Sequence, residues 1–176
     1  MKVPVVKNKF QKPDNIRSML RQSVEKYGNK VAYKYFTSPN VVAEMTYKQL
    51  YATYNNIGTS ICSYGLQKGK IALISENRPE WMITYMSVIS SGSVIVPLDK
   101  ELMPSQIEDF INYAEVDAVF CSGKFVEKLV AMNIPTVKKI IDFDNGSNED
   151  KRYVTFERMA FEGEKLLSDG YKNFKK

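Results

Sequence analysis

The residue types that most often carry out chemistry are sparse in this sequence. It contains no histidine, so a histidine-based triad, a histidine general base and a histidine metal ligand are all excluded within these 176 residues. Cys62 and Cys121 are far apart and unaccompanied, which favours neither a redox motif nor a zinc site. The acidic pairs Glu108-Asp109 and Glu149-Asp150 fit solvated surface charges better than a general acid–base pair. We therefore predict no catalytic residue and no metal ligand in the chain.

The glycines are spaced too widely to form a phosphate-binding loop. The closest two, Gly65 and Gly69, are four residues apart. A loop that cradles phosphates with backbone amides needs the spacing of G-x-G-x-x-G or of G-x-x-x-x-G-K-[ST], and neither occurs. We therefore expect no cofactor-binding residue in this chain.

The composition is that of an ordinary globular domain. Hydrophobic residues make up 44% of the chain and charged residues 26%. The net charge of +5 comes from 25 basic and 20 acidic residues spread along the whole chain. No block of five or six basic residues occurs, so no nucleic-acid partner is predicted. A basic nucleic-acid binder is the weakest of three hypotheses, and it would show retention on duplex DNA that falls steeply with salt.

The sequence favours a cytoplasmic location. The first ten residues contain only a four-residue apolar patch and no signal-peptide core. The two separated cysteines also fit a reducing compartment. Peripheral membrane association of a longer parent protein is a further option.

The stretch from Lys70 to Ser105 organises the chain. Ile71–Ile74 form a short apolar run, which is typical of a strand covered on both faces. Pro79 suits the first position of a helix, and the apolar run Val94–Leu98 follows as a second strand. The pattern predicts a β-α-β unit with two parallel strands. The apolar residues with helical spacing, predicted to form the buried helix face, are Trp81, Met82, Tyr85, Met86 and Ile89.

A membrane span is the rival interpretation of the same stretch. No charged residue occurs from Trp81 to Leu98, a length close to the minimum for crossing a bilayer. The run Ser90-Ser91-Gly92-Ser93 interrupts it in the middle. A buried helix followed by a buried strand explains that interruption, and a bilayer helix does not.

The remaining segments alternate between helices and strands. Thr46 and Gln49 form a capping-box pattern, and this predicts a helix that ends near Gly65. Further helices are predicted at 16–27, 104–114, 125–129 and 156–167, and further strands at 31–36, 41–45, 118–121 and 137–143. The predicted fold class is α/β, with a mainly parallel sheet, helices on both faces and an N-terminal antiparallel hairpin. Residues 1–13 and 168–176 are predicted to be flexible.

Two of these segments resemble a known family. The sequence MTYKQL, Met45–Leu50, resembles the first signature of the adenylate-forming (acyl-CoA synthetase) superfamily. The sequence ISENRPEWMITYMSVISSGSVIVPLD, Ile74–Asp99, resembles the next part of the same proteins, and its wording is most similar to long-chain fatty acid–CoA ligases. The resemblance continues in register from about Asn15 to Leu167.

The resemblance implies an ATP-dependent ligase. Such enzymes use ATP and Mg²⁺ to convert a fatty acid to an acyl-adenylate and then pass the acyl group to CoA. Their phosphate loop, ribose-binding acid and catalytic lysine have no counterpart in this sequence. We therefore expect residues 1–176 to be an inactive N-terminal fragment of the large AMP-binding domain. The implied partners are the rest of its own chain, fatty acid, ATP and CoA, with a homodimer formed through exposed fragment surface.

The resemblance assigns structural roles to the matched residues. Thr46 is expected to cap a helix, Trp81 to pack, and Gly92 and Pro97 to shape the entry and exit of a strand. The full set of matched motif positions is Thr46, Tyr47, Arg78, Trp81, Gly92, Pro97 and Asp99. Asp99-Lys100-Glu101-Leu102 stands where many relatives carry Asn-Pro-Arg-Leu. This departure casts doubt on the CoA contact that a basic residue makes there in some members.

The alternative hypothesis is a stand-alone α/β binding or regulatory module. A stop codon directly after Lys176 would favour it. A reading frame that continues into a Ser/Thr/Gly-rich loop would favour the ligase fragment.

Overall fold

Seven strands and six α-helices appear in the computed structural model, which describes residues 12–175. In chain order they are α1 Ile16–Tyr27, β1 Val31–Ser38, β2 Val41–Thr46, α2 Tyr47–Ser63, β3 Lys70–Ile74, α3 Pro79–Ser90, β4 Val94–Pro97, α4 Pro104–Ala114, β5 Ala118–Cys121, α5 Val126–Ala131, β6 Lys139–Asp142, β7 Tyr153–Thr155 and α6 Phe156–Ser168. Short 3-10 turns lie at Gly123–Phe125 and Asn173–Lys175. The segment predicted to be flexible at the start lies outside the described residues, apart from Lys12 and Pro13.

The main sheet has five strands in the order β4-β3-β5-β6-β7, and every neighbouring pair is parallel. The predicted β-α-β unit is therefore confirmed, because β3 and β4 pair in register through Ile71 and Ile95. Strands β1 and β2 form a separate antiparallel hairpin, as predicted. Sequence analysis did not assign β7, which is only three residues long and too short to display a periodicity.

The sheet is covered on both faces, as predicted. Alternate residues of β3 point to opposite sides: Leu73 joins the core beneath α2, α3 and α6, and Ile74 joins the core beneath α4 and α5. Strand β5 divides in the same way, with Phe120 in the first core and Val119 in the second. These side chains are fully buried, so the sheet forms the middle of three layers.

The buried face of α3 agrees with the predicted one at Met86, which is buried, and differs from it at the other predicted positions. Ile83, Thr84, Ser87 and Val88 are fully buried, whereas Trp81, Tyr85 and Ile89 are half-buried and Met82 is exposed. The reason is the close approach of α2, against which small side chains fit best: the Ser87 hydroxyl donates to the Tyr54 carbonyl at 3.1 Å. On α4, Phe110 is 48% exposed while Ile107 and Ile111 are buried. Large apolar residues therefore lie on the flanks of both helices.

Among the described residues, no helix has the length and apolar character needed to cross a bilayer. The uncharged stretch from Trp81 to Leu98 divides into α3 and β4, as predicted. Gly92 makes the turn between them with a φ of +79°, in the left-handed region that glycine adopts without strain.

The segment after α6 contains a buried aromatic side chain. Phe174 is only 2% exposed, and its ring packs edge-on against the Tyr54 ring at 5.3 Å between centroids. The Arg17 guanidinium lies 4.5 Å from the centre of the Phe174 ring. Gly58 leaves the space for this ring, because a Cβ there would lie 2.1 Å from a Phe174 ring carbon. One aromatic side chain therefore anchors a segment whose composition is otherwise polar.

Helices α2 and α6 approach closely at Gly163, which generates our first prediction. A Cβ at Gly163 would lie 2.0 Å from the Asn56 carbonyl oxygen, and the Ser60 hydroxyl donates to the Met159 carbonyl at 2.6 Å beside it. We expect Gly163→Ala to lower the free energy of unfolding by about 3 kcal/mol in urea denaturation, because backbone cannot yield to the new methyl group. The higher helix propensity of alanine alone would raise the free energy of unfolding by about 1 kcal/mol. The two effects therefore predict changes of opposite sign. Glu164→Ala, at an exposed neighbour, is the control and should change the stability little.

Candidate functional site

Three loops meet at the carboxyl edge of the parallel sheet. They follow β3, β5 and β6 and begin at Ser75, Ser122 and Phe143. In open α/β sheets, ligands bind outside the carboxyl ends of the strands, where loops from neighbouring strands diverge. Here the divergence falls between β3, whose chain continues into α3 on one face, and β5, whose chain continues into α5 on the other.

Arg78 connects the loop after β3 with the loop after β6. The residue directly precedes α3, and its Nε donates to Glu80 at 2.8 Å. Its two terminal nitrogens donate to the Asp144 carboxylate and to the Phe143 carbonyl, the latter at 3.3 Å. The guanidinium carbon also lies 5.5 Å from the centre of the Phe143 ring. The side chain is 24% exposed, so water screens these contacts only in part.

The other two loops are tied to the same cluster. The second oxygen of the Asp144 carboxylate accepts a hydrogen bond from the Gly123 amide at 2.6 Å. Glu76 and Lys124 form an ion pair across the divergence between β3 and β5. Each of the three loops is therefore linked to the other two, and we call this set, Glu76, Arg78, Gly123, Lys124 and Asp144, the edge cluster.

A buried carboxylate supports the edge cluster from below. Asp142, at the end of β6, is 2% exposed and accepts from the amides of Asp144 and Gly146, each at 2.9 Å. Its second oxygen also accepts from the Tyr153 hydroxyl at 2.9 Å. Burial and this hydrogen bond to Asp142 raise the pKa of Tyr153 well above its ordinary value. These three donors satisfy Asp142 and fix the path of the loop that presents Asp144.

The pKa values within the edge cluster favour the charged forms. Partial burial acts to raise the pKa of Glu76, but the hydrogen bond and charge of Lys124 outweigh it and lower the pKa to about 2. Partial burial opposes ionisation of Asp144 as well, yet hydrogen bonds from Arg78 and the Gly123 amide lower its pKa below the ordinary value. At neutral pH the carboxyl groups of Glu76 and Asp144 are thus ionised.

A groove lies between the edge cluster and the hairpin. Its volume is about 370 Å³, and the side chains of Tyr33, Tyr35, Pro79, Trp81 and Met82 form its apolar walls. Lys34, Asn77 and Arg78 supply its polar groups. We call it the hairpin groove. A flat or elongated apolar ligand with a polar end fits such a lining.

The predicted motif residues do not converge on one place. Arg78 and Trp81 both line the hairpin groove, and Trp81 stacks on Tyr85 with 5.4 Å between centroids. Thr46 caps α2 by accepting from the Gln49 amide at 3.3 Å, and the Tyr47 ring contacts Tyr27 at 5.8 Å.

Three further motif positions lie elsewhere on the fold. Gly92 and Pro97 border β4, and Asp99 accepts from the Glu101 amide at 2.9 Å in the loop after it. The matched motifs are therefore distributed over the scaffold.

Sequence reasoning missed Asp142, Asp144 and Lys124. Each follows or ends a buried parallel strand, and that position at the carboxyl edge is a signal that could have identified them. The signal was weak because Asp144 opens a polar loop that is rich in turn formers.

The edge cluster and the hairpin groove are equipped for binding and positioning. Within residues 12–175 no group of histidine, cysteine or acidic side chains has the arrangement of a metal site. Burial raises the pKa of the Cys121 thiol far above its ordinary value, so this buried residue is no nucleophile. The charged residues of the edge cluster pair with one another.

Comparison with known proteins identifies relatives over most of the chain. Residues 20–166 match the sequence model of the family described as AMP-binding enzyme. Fatty acyl-CoA synthetase A of Dictyostelium discoideum is 38% identical over 101 residues, which is 57% of this chain and 15% of that protein. Long chain acyl-CoA synthetase 2 of Arabidopsis thaliana is 32% identical over 111 residues, or 61% of this chain and 17% of that protein.

Solved structures show the same fold. The structure of an anthranilate CoA ligase in complex with anthranoyl-AMP matches with a TM-score of 0.73 at 19% sequence identity. That match covers 87% of this chain and 29% of the ligase chain. The chain thus spans 15% and 17% of the two curated relatives and 29% of the ligase chain in the structure.

The pairing of Arg78 generates our second prediction. We expect Arg78→Met to lower the free energy of unfolding at pH 7 by about 2 kcal/mol, because Asp144 and Glu80 lose charged hydrogen bonds. A carboxyl group with a lowered pKa stabilises the fold above its unfolded pKa, about 3.9, and that stability is lost as the pH falls through the folded pKa. The difference between the two proteins should therefore shrink below about pH 4, as followed by urea denaturation across pH 2–8.

Lys34→Met is the matched control for Arg78→Met. Lys34 pairs with Glu44 at 2.6 Å, but both side chains are about half exposed or more, at 66% and 48%. Its removal should cost less than about 0.5 kcal/mol. An equal loss from both substitutions would contradict the anchoring role of Arg78.

Proposed function

The chain belongs to the AMP-binding enzyme family, and from that premise we propose that it is the N-terminal part of an ATP-dependent fatty acid–CoA ligase. The parent enzyme joins a fatty acid to AMP and then transfers the acyl group to CoA, with Mg²⁺ as the metal ion. Residues 1–176 form the scaffold of its large domain and are inactive alone. The parent acts in the cytoplasm, with peripheral contact to a membrane.

The observation that carries this proposal is the 38% identity to a fatty acyl-CoA synthetase. The matched motifs support it, because Met45–Leu50 and Ile74–Asp99 occur in the order and spacing that the family resemblance requires. The aligned part is 15% of that relative, so the activity of the parent is inferred from the relative's name.

The described residues do not fit ATP and Mg²⁺ by themselves. Phosphates need a convergent set of amides or cations, and the cations of the edge cluster, Arg78 and Lys124, already pair with Asp144, Glu80 and Glu76. No acidic group with the arrangement of a metal site occurs in residues 12–175. We therefore assign no step of the reaction to these residues and propose that the rest of the parent chain supplies the nucleotide site.

We assign the edge cluster the role of holding three loops in one arrangement. A rigid carboxyl edge lets the neighbouring hairpin groove keep its shape. Arg78 belongs to both the edge cluster and the groove, and its neighbours Asn77 and Pro79 line the groove beside it. In the parent the groove forms one wall of a cleft that a further part of the chain closes. Arg78 is thus a positioning residue.

A stand-alone binding module is the second candidate. The observation that favours it is the buried Phe174, which closes the first core with the last described residues of the chain. The two candidates predict different continuations of the reading frame after Lys176. The ligase fragment requires a frame that continues past Lys176 into a Ser/Thr/Gly-rich loop, whereas a stop codon there would favour the module.

Our third prediction concerns activity. We expect the 176-residue chain to release no pyrophosphate above background when incubated with ATP, Mg²⁺, a long-chain fatty acid and CoA. The full-length protein encoded by the continued frame is the positive control and should release pyrophosphate only when the fatty acid is present. Fatty-acid-dependent turnover by the 176-residue chain would disprove the assignment as an inactive scaffold.

Our fourth prediction concerns self-association, which we propose to occur through the edge of the main sheet. Strand β4 ends the described sheet and pairs on one side only, and Val94 on it is 57% exposed. An uncovered apolar edge strand is a template for pairing with a second copy. In sedimentation equilibrium the isolated chain should form a dimer, and Val94→Lys should weaken it by at least about tenfold through repulsion at the edge.

Ala52→Lys is the control for Val94→Lys. Ala52 is exposed on α2, away from β4. Its substitution by lysine adds the same charge as Val94→Lys. It should leave the dissociation constant unchanged. A chain that remains monomeric at all concentrations would contradict the proposed edge contact.

A further inference from the structure

Three exposed lysines lie around the turn between α1 and β1. Lys26, Lys30 and Lys48 are exposed and line one pocket of about 650 Å³ together with Tyr27. None of the three takes part in the ion pairs found among residues 12–175. Glu25, the acidic residue of this pocket, pairs instead with Arg21 at 4.0 Å. A local excess of positive charge therefore faces solvent.

Backbone contacts hold these lysines in one place. The Lys48 amide donates to the Gly28 carbonyl at 2.9 Å, and the Tyr47 amide donates to the Lys30 carbonyl at 3.1 Å. The turn is thereby fastened to the first residues of α2. Lys48 consequently shares a surface fixed by the fold with Lys26 and Lys30, about 20 positions earlier in the chain.

The Tyr27 ring lies close to two of the ammonium groups and contacts a second tyrosine ring. The Nζ atoms of Lys26 and Lys30 lie 5.1 and 5.4 Å from the centre of the Tyr27 ring. The rings of Tyr27 and Tyr47 are in contact, with 5.8 Å between centroids, and both residues are half-buried. We call Lys26, Tyr27, Lys30, Tyr47 and Lys48 the lysine–tyrosine patch.

The patch lies on the same end of the domain as the edge cluster. The Tyr64 ring, just after α2, lies 5.4 Å from Nζ of Lys139, the first residue of β6, so α2 ends at the amino edge of the sheet. Helix α2 has 17 residues and is about 25 Å long, whereas β3 has five residues and spans about 17 Å. The start of α2 therefore reaches past the carboxyl ends of the strands.

We propose that the lysine–tyrosine patch binds the anionic phospholipid headgroups of a bilayer. Lysine ammonium groups attract anionic headgroups within a Debye length of the surface. Tyrosine rings favour the membrane–water interface, where one end of the ring is apolar and the other is wet. Val31, adjacent to Lys30 and 39% exposed, adds an apolar side chain beside the charges.

The chemistry of the patch favours lipid over nucleic acid. A nucleic-acid surface needs an extended basic stripe that follows many phosphates, whereas this patch has three lysines and no arginine. The role that we assign to the lysine–tyrosine patch rests on the proposed function, because the substrates of that function, long-chain fatty acids, reside in bilayers. Binding there would turn the carboxyl edge of the sheet toward the acyl substrate.

The test is co-sedimentation of the 176-residue chain with vesicles. We expect binding to phosphatidylserine–phosphatidylcholine vesicles at 50 mM salt, much weaker binding at 500 mM salt, and none to pure phosphatidylcholine. The triple variant Lys26→Gln, Lys30→Gln, Lys48→Gln should lower the partition coefficient roughly 100-fold, as expected for three lysines at an anionic surface.

A matched variant controls for net charge. Lys128→Gln, Lys151→Gln and Lys172→Gln remove the same charge from exposed positions elsewhere and should change the partition coefficient less than about threefold. Circular dichroism should show that both variants remain folded.

Three outcomes would overturn the proposal. They are absence of binding to the anionic vesicles at low salt, equal losses from the two triple variants, and tighter binding to duplex DNA than to the vesicles. The vesicle test involves neither ATP nor turnover, so its failure would leave the ligase assignment intact. A pyrophosphate assay that contradicted the third prediction would likewise leave the proposed lipid binding of the patch intact.

Discussion

The structure depends on one constraint, the burial on both faces of the central strands of a parallel sheet whose strands are only three to five residues long. Ile71, Leu73 and Phe120 are 0% exposed, so the central strands have no face that can carry a functional polar group. Both faces must be covered by helices. Each crossover between parallel strands therefore places its helix on one face and its two loops at opposite edges of the sheet. Polar side chains can then collect only at the ends of the strands.

This explains why the charged residues form a cluster at the carboxyl edge. Each loop that leaves a buried strand carries acids or bases, and isolated charges beside an apolar core are costly. Asp142 is satisfied by two amides and a tyrosine hydroxyl, and Asp144 by Arg78 and the Gly123 amide. The pairing that removes this cost also joins the three loops into one unit. The same pairing leaves no free cation in the edge cluster, which is why we assign it to positioning.

The sequence predicted the elements well and the faces of the helices less well. Apolar runs, caps and glycines identified the α/β class, the hairpin and the parallel unit, because these are local signals. The face of α3 depends on what packs against it: Ser87 and Thr84 are buried because α2 comes close, and no periodicity in α3 reports that approach. Phe174 shows the same limit, since its burial requires the gap left by Gly58, 116 positions earlier in the chain.

Small residues link the helices on the first face of the sheet into one body. Gly163 admits the backbone of α2, Gly58 admits the ring of Phe174, and the Ser60 and Ser87 hydroxyls donate across the same contacts. Helix α2 therefore contacts α3, α6 and the last segment at once. Its first residues also hold the turn that carries the lysine–tyrosine patch. A surface that meets a membrane would thus be rigidly attached, through a single helix, to the layer that covers the sheet.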